Sequence, residues 1–112
     1  MLEYKFILRS NTIELNKYDD PEPSFKRLIS IVKAFAAIFD FKVNRVEPFW
    51  GEETEGNWDY CQTGYTFELT KRFPGSQMYL VSAAIFCLTN QHPLKVENED
   101  LYPIKQSKDD ED

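Results

Sequence analysis

The sequence predicts an α+β domain of two layers, one long helix packed on a mostly antiparallel sheet of about five strands, in the order β-β-α-β-β-β. Three observations carry this. Residues 2–9 and 61–70 alternate apolar and polar side chains with a period of two. Residues 25–39 repeat apolar side chains at spacings of three and four, the period of a helix. The chain has 112 residues, 42% hydrophobic and 15% aromatic, which suffices for one core but not for a barrel of roughly 250 residues.

The first strand covers residues 2–9. Leu2, Tyr4, Phe6 and Leu8 point one way, while Glu3, Lys5 and Arg9 point the other. Ser10-Asn11 reads as a turn, and residues 12–15 as a returning strand, so the first unit reads as a β-hairpin. Residues 18–23 hold the turn-forming run Asp-Asp-Pro-Glu-Pro. Pro and Glu also suit the first turn of a helix, where free N–H groups and the dipole favour negative charge. A helix over about 24–39 follows. It places Phe25, Leu28, Ile29, Val32, Phe35, Ala36 and Phe39 on one face, with Ile31 and Ile38 widening the stripe. Lys26, Arg27, Ser30 and Lys33 fall outside.

Residues 41–46 read as a strand ended by Pro48, and residues 47–59 as a long loop. Alternation then resumes, with Cys61, Thr63, Tyr65, Phe67 and Leu69 on one face. Residues 73–76, Phe-Pro-Gly-Ser, form a turn signal. Residues 78–88 are apolar on both faces; Tyr, Val, Ile and Phe together with the preceding turn favour a central strand over a buried helix. Residues 1–94 thus form the globular domain, and 95–112 a flexible acidic tail, with Leu94, Val96, Leu101, Tyr102 and Ile104 available for a last packing contact.

The formal charge is −6, and the tail holds −4 of it through seven acids and three lysines. An acidic balance argues against binding a phosphate backbone and for a basic protein partner. Lys26, Arg27 and Lys33, joined by Arg45, Lys71 and Arg72 if the fold gathers them, are the sole candidate cationic patch. Cys61 and Cys87 stand 26 residues apart without a CxxC, which reads as free thiols, buried as small hydrophobes, in the cytoplasm. Charges interrupt the apolar run of residues 1–9, unlike a signal peptide, and the weakly polar run 78–88 is too short for a membrane helix of about 20 residues.

Familiar catalytic signatures are missing. One His and two separated Cys do not make a zinc site, and no phosphate-cradling or nucleophile-elbow motif occurs. Residues 52–59 have the oxygens of a calcium loop but not its spacing. Paired carboxylates remain, since acids are plentiful and glycosidase-type chemistry needs only two. No metal and no cofactor are expected.

Residues 46–60 hold five acids and no base, together with Phe49, Trp50, Trp58 and Tyr60. Aromatic residues dominate interface energetics and charges steer encounter. The expectation is therefore a non-enzymatic binding protein that blocks a basic partner, a toxin or a nucleic-acid-binding enzyme. Glu52, Glu53, Glu55 and Asp59 would steer and hydrogen-bond; Trp50 and Trp58 would anchor, flanked by Phe49 and Tyr60. In size and charge alone the chain is similar to toxin-neutralising immunity proteins and phage-encoded inhibitors of host defence. The alternatives are a self-associating accessory or structural subunit, homodimer included, and a small carboxylate-dependent enzyme. Neither direct nucleic-acid binding nor membrane binding is expected.

Overall fold

A computed structural model describes residues 1–97 and the backbone of a short strand at 104–105. The elements are β1 (Leu2–Ser10), β2 (Ile13–Asn16), α1 (Glu22–Ile38), β3 (Lys42–Thr54), β4 (Asn57–Phe73), a single 3-10 turn, α2 (Met78–Gln91), β5 (Leu94–Val96) and β6 (Ile104–Lys105). The expected α+β architecture is present. The strands form one antiparallel sheet: β3 pairs with β4, β4 with β1 and β2, and β1 with β5 and β6. β1 and β3, joined through α1, enclose β4; β4 and β5, joined through α2, enclose β1. This is the ferredoxin-like split β-α-β arrangement.

β1 buries Leu2, Tyr4, Phe6 and Leu8, as its alternation requires. They face Phe73, Lys71, Leu69 and Phe67 across the ladder to β4. α1 lays Phe25, Leu28, Ile29, Val32, Phe35 and Ala36 on this face. Val81, Ile85 and Leu88 of α2 join the same core. Ring contacts tie the core together: Tyr4 stacks on Phe73 within the sheet at 4.4 Å, Phe35 on Phe41 at 5.4 Å, and Phe25 of α1 meets Tyr65 of β4 at 5.1 Å. Burial, with the Glu22 and Asp20 carboxylates at the start of α1, pushes the Tyr65 phenol above its ordinary pKa.

The ends of α1 are closed locally. The Asp20 carboxylate accepts from the Glu22 N–H at 3.0 Å. At the other end Asp40 adopts φ +61, and the Phe41 N–H reaches back to the Ala36 carbonyl at 2.8 Å. That is a Schellman closure with Asp in the left-handed position usually held by Gly. Lys71 Nζ donates to the Phe39 carbonyl at 2.8 Å and to the Asp40 carbonyl at 3.3 Å, a cation at the helix's negative pole.

Three expectations need correction. First, residues 2–15 are not a hairpin. β1 and β2 both run antiparallel to β4, with Arg9 opposite Thr66 and Ile13 opposite Thr63. They are one strand interrupted at Asn11 and Thr12, with a slip of one residue in register. Ser10 Oγ fills the break by accepting from the Tyr65 N–H at 2.8 Å and donating to the Asn11 carbonyl at 2.9 Å. The Asn11 N–H is held by the Pro93 carbonyl at 2.9 Å.

Second, residues 47–59 are not a loop but the distal part of a β3–β4 hairpin, whose turn is Glu55-Gly56. Gly56 takes φ +80, where a side chain would be strained. Third, residues 78–88 are helical. The buried positions Val81, Ile85 and Leu88 follow helical spacing, while Tyr79, Leu80 and Ala83 face water, so both faces are apolar and the period is hidden. Cys87 is accordingly exposed; only Cys61 is buried, and both are free thiols.

The acidic run 109–112 and the contacts expected of Leu101 and Tyr102 lie outside the described residues. Lys95 and Val96 belong to β5, and Lys105 pairs with Tyr4.

Candidate functional site

β4 is 17 residues long, but the helix layer stops near Tyr65, where Phe25 rests. Beyond Tyr65 a ribbon of β3, β4 and β2 continues for about 25 Å at the rise of an extended chain. Its tip carries the residues that the sequence singled out.

Trp58 is 79% exposed at the tip, and Glu52, Glu53, Glu55 and Asp59 are exposed around it. An open hollow of about 570 Å³ lies here, lined by Lys17, Glu53, Thr54, Glu55, Gly56 and Trp58. Lys17, the one cation in this lining, sits 4.0 Å from Glu53; its N–H donates to the Asp59 carbonyl at 2.8 Å. Thr54 Oγ1 donates to Glu14 Oε2 at 3.1 Å. β2 and the residue that follows it therefore supply Glu14 and Lys17 to the site. Sequence reasoning missed both, because β2 was expected to return along β1 rather than continue beside β4. Alternation in β2 was the available signal, but it does not say which strand is the neighbour.

Trp50 is 42% exposed and stands opposite Thr63, which stands opposite Ile13. The three form one cross-strand row with Thr63 buried and an apolar side chain exposed at each end. Tyr60 is half-buried and pairs with Asn16.

Phe49 is held within the protein. It pairs with Gly64, and the Arg9 guanidinium lies 4.1 Å above its ring. A Cβ on Gly64 would come within 2.7 Å of Phe49 Cε1 and 3.0 Å of Ser10 Oγ. Gly64→Ala should therefore expel the Phe49 ring and destabilise the domain by about 1–3 kcal/mol. In NMR spectra the Arg9 side-chain resonances should lose their ring-current shift; retention of that shift in the variant contradicts the stacking.

The basic side chains do not gather on one face. Lys71 caps α1 on the helix side, whereas Arg45 lies on the opposite face, 3.4 Å from Glu47 and 4.0 Å from Glu68. Lys5 also approaches Glu68, at 3.7 Å. Pro48 and the register shifts in β3 blunt the exposed sheet edge.

Glu53 and Glu55, the two carboxylates of the tip hollow, are solvated. Among the described residues, no cluster of three His, Cys, Asp or Glu is placed to hold a metal ion. No helix among them is long and apolar enough to cross a membrane.

No protein-family model and no curated protein matches the chain. Among solved structures it is similar to an amidase of the hydantoinase/carbamoylase family from Burkholderia phymatum, at 12% identity and a TM-score of 0.47. The match covers 98% of this chain and 29% of that one. The chain thus spans less than a third of that enzyme's length.

Proposed function

We propose that the protein is a non-enzymatic inhibitor that covers a basic surface of a partner protein with the tip of its β3–β4 ribbon, in the manner of toxin-immunity or phage anti-defence proteins. One observation carries the reading: Trp58 stands 79% exposed among four exposed carboxylates, with no Lys or Arg between residues 46 and 60. A tryptophan in water is an unused apolar surface of roughly 200 Å². Buried against a partner, such a side chain typically contributes about 2–4 kcal/mol. The carboxylates give the approach its sign, favouring a Lys- and Arg-rich surface such as a toxin's active site or a nucleic-acid channel. Two free thiols, Cys61 and Cys87, fit a reducing compartment, and cytoplasmic action is part of the proposal.

The test is capture from the host's lysate with the immobilised full chain at low and high salt, with mass spectrometry of the eluate. The expected result is one stoichiometric basic protein, retained at low salt and released at high salt. A Trp50→Ala/Trp58→Ala double variant should not retain it. Equal retention by the double variant removes the ribbon tip as the site, and no captured protein removes the inhibitor reading.

A further inference from the structure

α2 is a surface helix without a single charged residue in its 14 positions, in a chain that is 29% charged. Val81, Ile85 and Leu88 occupy the core, which accounts for one face. The other face exposes Tyr79 at 89% and Leu80 at 74%, with Ala83 and Cys87 beside them. The neighbouring end of α1 exposes Ile38 at 75% and Phe39 at 47%. Between the helices lies a hollow of about 520 Å³, floored by small side chains such as Ala34, Ala84 and Cys87. The helical layer thus presents a ridge of large apolar side chains next to a shallow apolar depression.

We infer that a second copy of this chain docks on this face, as a two-fold dimer in which the Tyr79–Leu80 ridge of each copy enters the α1–α2 hollow of the other. Charge selects this occupant. A two-fold interface sets a patch against its own image, so every charge in it meets a like charge or must find a partner inside the patch. The chain is −6 in total, so two copies repel unless the surfaces that meet are free of charge. The α2 face carries no charge and can meet itself without that penalty. A different protein would usually be selected by complementary charges in and around the patch, and α2 offers none. The exposed side chains supply on the order of 500 Å² of apolar area, a large part of the roughly 800 Å² per partner in a standard interface. The inference does not rest on the ribbon reading. If both hold, one dimer displays two acidic tips.

Sedimentation equilibrium of the full chain under reducing conditions tests it. The expected mass is that of two 13.2 kDa chains, falling to one on dilution. Leu80→Glu and Ala83→Glu should each weaken dimerisation roughly a hundredfold or more, because the first drives a carboxylate into the partner's apolar hollow and the second places one in the hollow that receives the partner's ridge. Circular dichroism should show both variants folded, since neither position is in the core. A second readout needs no variant: maleimide should label Cys87 slowly in concentrated protein and quickly in dilute protein. Trp58→Ala should leave the dimer intact. A single-chain mass at about 0.3 mM overturns the proposal, since a specific dimer should form well below that concentration. A dimer indifferent to both glutamates overturns it too, by locating the interface elsewhere. A monomer that binds phosphatidylcholine vesicles through Leu80 would assign the face to a lipid surface and also overturn it.

Discussion

Changing Glu52, Glu53 and Glu55 together to lysine should slow association with the captured basic partner roughly tenfold at physiological salt. Dissociation should change much less, because the buried surface of Trp50 and Trp58 holds the complex once formed. The reasoning is geometric. The tip lies about 25 Å beyond the helix layer, several times the screening length of about 8 Å at physiological salt. Acids on the body therefore contribute little to the field that an approaching partner meets at the tip. That field is set by Glu14, Glu52, Glu53, Glu55 and Asp59, with Lys17 opposing them, and three reversals invert its sign. The fold should tolerate the change. The Lys17–Glu53 pair is long and exposed, and such pairs contribute less than about 1 kcal/mol. The Thr54–Glu14 hydrogen bond that ties β3 to β2 is untouched. Stopped-flow tryptophan fluorescence at several salt concentrations reads the rate directly. An unchanged rate with an unchanged salt slope would show that association does not proceed through this tip.

Phe67→Ala should destabilise the domain by about 3–5 kcal/mol, a large fraction of the 5–15 kcal/mol that holds a domain of this kind together. Phe67 is fully buried in the middle of β4. It stands between Leu8 on β1 and Val46 on β3, with the Tyr65 ring 6.1 Å away. Truncation leaves a cavity at the centre of the sheet's covered face, where backbone ladders on both sides prevent collapse. Trp58→Ala, by contrast, should cost under about 0.5 kcal/mol, because the indole packs on little of its own chain. Urea unfolding of the two variants side by side measures the difference. If the two costs were similar, either β4 is not the centre of the core or Trp58 is not free of it.

β1, α1 and the proximal half of β4 were legible because each buries one face and wets the other. Leu2, Tyr4, Phe6 and Leu8 follow the period of a strand, and Phe25, Leu28, Val32 and Phe35 that of a helix; burial on one side writes that period into the chain. The acidic aromatic composition of the tip was equally legible, since charge and residue type need no fold to be read. What the tip is made of was not. In distal β3 most side chains are exposed on both faces, so no alternation marks it as a strand; its pairing with β4 makes it one. β2 carries a short pattern compatible with two neighbours, and only the long reach of β4 past the end of β1 selects the collinear one. α2 fails for the opposite reason. It is apolar on both faces, so neither period stands out, and its ridge of Tyr79 and Leu80 looked like the interior of a sheet. One-sided burial was thus determined by the sequence itself. Segments wet on both sides or apolar on both sides were decided by the tertiary structure, because there the hydrophobic pattern is uniform and only the neighbouring backbone distinguishes strand, loop and helix.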